Sequence, residues 1–186
     1  MAAGRIIIVI GGVRSGKTSW AEQTALQLAK DKNRRIVYLA SGVSVDEEMK
    51  NRINRHQLDR RNENWMTIEQ PVNLTEATKK LQNNDVVVWD CLTTWLTNEY
   101  IKYDNSSVNF SPENDLITLI EWAKKRLDTL FILSNEVLQE PVFTEGMTAH
   151  YQKKIGGLHQ TAVRVSSIAI EMEAGLPLFR KGEWPG

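Results

Sequence analysis

Gly11-Gly12-Val13-Arg14-Ser15-Gly16-Lys17-Thr18 fits the pattern G-x-x-x-x-G-K-[ST] and directly follows an apolar run, Ile6-Ile7-Ile8-Val9-Ile10. The next segment, Ser19 to Lys30, reads as a helix. Strand, glycine-rich turn and helix together are the context that gives this motif its meaning. The glycines let the backbone curl so that successive N–H groups point inward at phosphate oxygens. The helix start behind them adds partial positive charge. Lys17 is placed to reach the β- and γ-phosphates, and the Thr18 hydroxyl to ligate Mg²⁺. The stretch therefore predicts binding of a nucleoside triphosphate.

Working outward, apolar runs alternate with amphipathic segments, which predicts an α/β fold with a mostly parallel sheet flanked by helices. At 186 residues the chain reads as one domain, 1–186, of the P-loop type. Strands are expected at Arg5–Ile10, Arg35–Ala40, Met66–Glu69, Val86–Asp90, Leu130–Ser134 and Leu176–Phe179. Val86-Val87-Val88-Trp89 and Phe131-Ile132-Leu133 are continuously apolar, as strands covered on both faces should be. Helices are expected at Ser19–Lys30, Asp46–Arg60, Leu74–Leu81, Leu92–Ile101, Pro112–Leu127 and Thr148–Met172. Ser111-Pro112 supplies a helix start, with Ser as N-cap and Pro in the first position. Asp104–Asn109 and Pro141–Gly146 read as surface loops.

Composition narrows the function classes. Basic and acidic residues balance at 23 each, so no global charge draws the chain to nucleic acid or membrane. A single cysteine, Cys91, excludes an intrachain disulfide and fits a reducing, cytoplasmic setting. The N-terminal apolar run is too short for a membrane span.

Asp90 ends the Val86–Trp89 run, where P-loop proteins place a Mg²⁺-organising carboxylate. The same position also suits a helix N-cap, because a helical pattern starts at Leu92. Glu48, Arg52, His56 and Arg60 fall four apart and share a face of the predicted helix. Arg52, Arg55 and Arg60 around His56 favour a neutral imidazole able to attack, and they suit a triphosphate. Periodicity alone favours the plainer reading, a solvated charged helix with an incidental histidine. His150 and His159 lie nine apart, not at metal-pair spacing, and read as structural, as Cys91 reads as packing. Asn135 and Glu136 end another apolar strand and are site candidates in the expected ligand crevice, or else another helix cap.

Taken together, the ordered blocks resemble the bifunctional adenosylcobinamide kinase/adenosylcobinamide-phosphate guanylyltransferase family. These are Gly11–Thr18 with Ala21-Glu22, then Tyr38-Leu39-Ala40-Ser41, then Asp46, Glu48-Met49, Arg52-Ile53 and His56. Trp65, Thr67 and Glu69 follow, then Asp90-Cys91-Leu92-Thr93-Thr94-Trp95-Leu96-Thr97-Asn98, Asn135-Glu136-Val137 and Ala174-Gly175-Leu176-Pro177-Leu178. The resemblance implies two reactions on adenosylcobinamide and its phosphate, with GTP and ATP as nucleotides and Mg²⁺ as cofactor. A nucleoside triphosphate phosphorylates the aminopropanol hydroxyl, and GMP then passes from GTP through a guanylyl-histidine. It implies catalytic roles for His56 and Lys17. It implies nucleotide contacts at Gly11, Gly12, Val13, Arg14, Ser15, Gly16, Lys17 and Thr18. Further contacts are implied at Ala40, Ser41, Gly42, Gln57, Leu58, Asp59, Arg60, Glu69 and Asp90, with Thr18 and Asp90 as metal ligands. A homotrimer is also implied. Lys153, Gly157 and His159 stand where the family carries Asp, Arg and Asn. Two other readings stand beside this one: a P-loop small-molecule kinase without a covalent step, and a GTP-binding subunit without turnover.

Overall fold

A computed structural model of the chain describes residues 3–42, 64–103, 111–137 and 146–184. The strands are β1 (Arg5–Gly11), β2 (Ile36–Ala40), β3 (Met66–Glu69), β4 (Val86–Asp90), β5 (Thr129–Asn135), β6 (Ile168–Glu173) and β7 (Leu176–Lys181). The helices are α1 (Lys17–Lys32), α2 (Leu92–Tyr103), α3 (Pro112–Arg126) and α4 (Gly146–Val165), with a 3-10 turn at Leu74–Lys79. The predicted helix Asp46–Arg60 lies outside the described residues. So do the loop Asp104–Asn109 and all but Gly146 of the loop Pro141–Gly146.

The strands form one seven-stranded sheet in the order β3-β2-β4-β5-β1-β6-β7. Every neighbouring pair is parallel except β6 with β7. Alternate residues feed two cores. Ile6, Ile8, Trp89 and Ile132 pack with α2, α3 and α4 on one face. Ile7, Val9, Val88 and Phe131 pack against α1 on the other. This explains the uninterrupted apolar runs, since burial on both faces removes the usual polar alternation.

Helix α1 meets the sheet through Ala21, Ala25 and Ala29, all buried. A stripe of small residues four apart lets the helix axis lie close to the strands. Helix α3 starts as expected, with Ser111 at the N-cap and Pro112 in the first turn, but the Ser111 hydroxyl makes no capping bond. Glu113 and Asp115 in its first turn and Lys124, Lys125 and Arg126 in its last complement the helix dipole instead.

The expected helix Thr148–Met172 needs correction. Helix α4 stops at Val165, and Ile168–Glu173 is strand β6. Ser166 ends the helix by donating its hydroxyl to Val163 O at 3.0 Å, and Ser167 N–H then donates to Ile6 O at 2.8 Å. Ile168, Ile170 and Met172 alternate with Ala169, Glu171 and Glu173, a period of two that was absorbed into the preceding helical pattern. Pairing with β1, Ile7 opposite Ile168, decides the conformation. Strand β7 follows as the antiparallel edge and reaches Lys181, beyond the expected Phe179.

Candidate active site at the strand ends

The parallel strands finish level with one another. Gly11 stands opposite both Asn135 and Met172, and Ala40 opposite both Asp90 and Glu69. Open α/β sheets bind ligands at this carboxyl edge.

The glycine-rich loop joins β1 to α1. Arg14 (φ 62°) and Gly16 (φ 88°) take left-handed backbone, which reverses the chain above the helix. A Cβ on Gly11 would come within 2.6 Å of Ser15 Oγ and 2.7 Å of Met172 O, so only glycine fits there. Gly16 caps α1 without a side-chain bond, and the first turn carries no acid. The helix start thus keeps its N–H groups and its positive end free for an anion.

Lys17 is buried and donates from Nζ to Gly12 O at 3.2 Å, folded back along the loop. Burial lowers its pKa, opposed by the Asp90 carboxylate. Thr18 Oγ1 donates to Asp90 Oδ2 at 3.2 Å, joining the two expected metal ligands across the sheet. The Tyr38 hydroxyl donates to the same oxygen at 2.7 Å. Asp90 thus spends its carboxylate on Thr18 and Tyr38. Tyr38 went unnoticed as a site residue because a tyrosine within an apolar strand reads as core. Its position opposite Val88, two residues before Asp90, was the available signal.

No group of three or more His, Cys, Asp and Glu side chains suited to a metal occurs among the described residues. The Thr18–Asp90 pair fits Mg²⁺ nonetheless, because this ion takes one or two hard oxygens from protein and the rest from phosphate and water.

Ser41 is fully buried. Its hydroxyl accepts from Trp89 Nε1 at 2.7 Å, its N–H donates to Asp90 O at 2.8 Å, and its carbonyl accepts from Asn98 Nδ2 at 2.8 Å. Ser41 therefore braces the end of β4, while Ala40 and Gly42 lie half-buried at the rim and Glu69 is exposed. Asn98 also donates to Pro71 O at 3.1 Å, tying α2 to the segment after β3. Glu136 N–H donates to Gly11 O at 3.0 Å. His56, Gln57, Leu58, Asp59 and Arg60 lie outside the described residues.

The remaining single groups are structural. Cys91 is buried, and burial raises its thiol pKa. His159 is buried with its Nε2 2.7 Å from Ser134 Oγ, and burial lowers its pKa against a smaller opposing influence from Glu136. His150 packs edge-on to Tyr100.

A parallel sheet with a G-x-x-x-x-G-K-T loop, a helix start free of capping side chains and an apposed strand-end carboxylate defines a P-loop nucleotide-binding protein of the α/β class. Residues 7–179 match the family model described as cobinamide kinase / cobinamide phosphate guanyltransferase, and the chain belongs to that family. It is accordingly a transferase of cobalamin biosynthesis. It is 30% identical over 177 residues to the bifunctional adenosylcobalamin biosynthesis protein CobP of Pseudomonas aeruginosa, covering 95% of this chain and 97% of that one. It is 28% identical over 165 residues to the bifunctional adenosylcobalamin biosynthesis protein CobU of Escherichia coli, covering 83% of this chain and 88% of that one. Among solved structures, the flagellar accessory protein FlaH from Methanocaldococcus jannaschii is similar with a TM-score of 0.54 at 13% identity, over 98% of this chain and 80% of that one. That likeness concerns the fold. Among the described residues no helix is long and apolar enough to cross a membrane.

Proposed function

We propose that the chain phosphorylates the aminopropanol hydroxyl of adenosylcobinamide from ATP or GTP and then transfers GMP from GTP to adenosylcobinamide phosphate. The observation that carries this reading is the Thr18–Asp90 pair at 3.2 Å beneath a glycine-rich loop, in a chain of this family. Loop N–H groups and Lys17 hold the polyphosphate and offset the charge that develops on it. Thr18 and Asp90 would hold Mg²⁺, which would supply positive charge to offset what remains on the phosphates.

His56 is the nucleophile of the second reaction, a role that rests on the family resemblance. A neutral ring nitrogen attacks the α-phosphorus of GTP. A P–N bond forms, the bond to the bridging oxygen breaks, and pyrophosphate leaves. A phosphate oxygen of the acceptor then attacks the same phosphorus, and the P–N bond breaks to return His56. Splitting one transfer into two displacements is the gain from covalent catalysis. Gln57–Arg60, Ala40, Gly42 and Glu69 are assigned to the guanine nucleotide on the same ground. The active assembly is assigned as a homotrimer in the cytoplasm.

The test is incubation with Mg²⁺ and GTP radiolabelled at the α-phosphate, followed by denaturation. Label that stays on the chain, is lost in acid, survives alkali and disappears in His56→Ala supports the reading. Nucleotide hydrolysis or transfer with no retained label turns it into a plain kinase.

A further inference from the structure

The block Ala174-Gly175-Leu176-Pro177-Leu178 takes no part in the chemistry above, yet the fold sets it against the phosphate loop. Ala174 (φ 48°) and Gly175 (φ 83°) form the two-residue turn between β6 and β7. Positive φ at both positions is the signature of a tight hairpin whose twist suits its strands. Gly175 N–H donates to Ser15 O at 2.9 Å. A Cβ on Gly16 would stand 3.2 Å from Gly175 Cα, so the two backbones nearly touch.

We propose that this turn is a positioning element for nucleotide binding, and that Gly175 fixes the phosphate loop from outside before the nucleotide arrives. Ser15 C=O and Gly16 N–H belong to one planar trans unit and point in opposite directions. Holding the Ser15 carbonyl on the hairpin aims the Gly16 N–H away from it, toward the phosphate side. The same capture removes a carbonyl oxygen that would otherwise be free to face an anion. Neighbouring planes are treated alike. Gly11 O accepts from Glu136 N–H at 3.0 Å, and Gly12 O accepts from Ser15 N–H at 3.2 Å and from Lys17 Nζ at 3.2 Å. The carbonyls of Gly11, Gly12 and Ser15 are thus held by protein donors, and the hairpin supplies the one at Ser15. Pre-organisation of this kind lowers the cost of binding and leaves the chemical step alone.

The inference rests on the nucleotide reading of the loop, and the experiment separates the two. Gly175→Ala adds a Cβ that meets nothing within 4 Å, so its sole cost is the left-handed backbone. Gly175→Asn is the conservative rescue, because asparagine tolerates that conformation. Gly182→Ala is the stability control. It lies past the far end of β7, has φ 68°, and its Cβ would fall 2.5 Å from Ser167 O.

Equilibrium binding of Mg²⁺–GTP, thermal unfolding and labelling rate at saturating GTP are measured for all three. Gly175→Ala is expected to weaken GTP binding about tenfold while the saturated labelling rate holds. Gly175→Asn is expected to restore affinity. Gly182→Ala is expected to lower Tm at least as much as Gly175→Ala while leaving the Kd unchanged. Wild-type binding with an unchanged Kd in Gly175→Ala overturns the positioning role, as does a Kd that tracks Tm in both alanine variants. A wild-type protein that binds no GTP overturns the nucleotide reading and the inference with it.

Discussion

Replacing Asp90 by asparagine separates the two duties of this residue. Asp90 Oδ2 accepts from Tyr38 at 2.7 Å and from Thr18 at 3.2 Å. Asn has the same shape, and Tyr38 and Thr18 can each rotate a hydroxyl to meet either end of the amide. Both contacts therefore survive as neutral hydrogen bonds. A bond to a charged group contributes about 1.5–3 kcal/mol and a neutral one about 1 kcal/mol. With discount for partial exposure, the two downgrades cost about 1–2 kcal/mol, a Tm loss of roughly 2–8 °C for a chain of this size. The functional loss is of another kind. A carboxylate beside a polyphosphate repels it unless a cation sits between them. Asp90→Asn should thus weaken GTP binding at least about tenfold in Mg²⁺, and should leave it equal or tighter in EDTA. The carboxylate also opposes the burial that lowers the Lys17 pKa. Its removal lowers that pKa further, so GTP affinity in the variant should fail at a lower alkaline pH than in wild type. Titration calorimetry with and without Mg²⁺, across pH, reads all three. Tyr38→Phe is the companion, since it loses one bond, keeps the charge and should keep the Mg²⁺ enhancement. An Asp90→Asn protein with wild-type Mg²⁺ enhancement would refute the metal role and leave Asp90 as a structural pin for Tyr38 and Thr18.

Three further outcomes follow from the geometry. Asp85 is 2% exposed and accepts from Arg35 Nε at 2.8 Å and Gln82 N–H at 2.8 Å, so Asp85→Ala strands both donors. The expected loss is about 3 kcal/mol, the lower end for a broken buried pair because Arg35 keeps some water, and chemical denaturation measures it. Burial holds the His159 pKa below its ordinary 6.5. The unfolded chain then binds the extra proton, so stability is full above that value and falls as pH drops through it, and a Tm series should flatten there in His159→Asn. Ala174 pays for a left-handed backbone at φ 48°, so Ala174→Gly should raise stability by about 1 kcal/mol, and an unchanged or lower Tm would show that the turn is not strained.

How much of this was readable in advance depends on whether a feature is local. The phosphate loop is read from contiguous residues whose backbone demands are specific, and Asp90 from its place at the end of an apolar run. Both expectations concern strand ends, which the register places level. Strand β6 was hidden because its alternation begins two residues after a long helix, and only pairing with β1 distinguishes the two conformations. Tyr38 was hidden because its hydroxyl finds Asp90 across neighbouring strands, a contact of sequence separation 52. Ser41 was assigned to nucleotide by resemblance, whereas its hydroxyl is held by Trp89, a partnership that no local pattern encodes. His56 is singled out by resemblance, against a periodicity that favours an incidental histidine, and lies outside the described residues.

The meeting of Thr18 with Asp90 illustrates how fold becomes chemistry here. β5 separates β1 from β4, so the loop leaving β1 does not by itself reach the Asp90 strand. The helix closes that distance. Its buried alanines let α1 cross the sheet face close against Val88 and Phe131, carrying its first turn toward the end of β4. Tyr38 on β2 approaches the same carboxylate from the other side, edge-on to Trp65 at 6.4 Å. Asp90 is thereby held between a residue of α1 and a residue of β2, with its backbone carbonyl bound to Ser41 N–H. Two elements fix one carboxylate, and a third, the β6–β7 turn, holds the loop on its far side. Precision at the site thus arises from long-range packing of small and aromatic residues, while the residues that would touch phosphate are set by the loop itself.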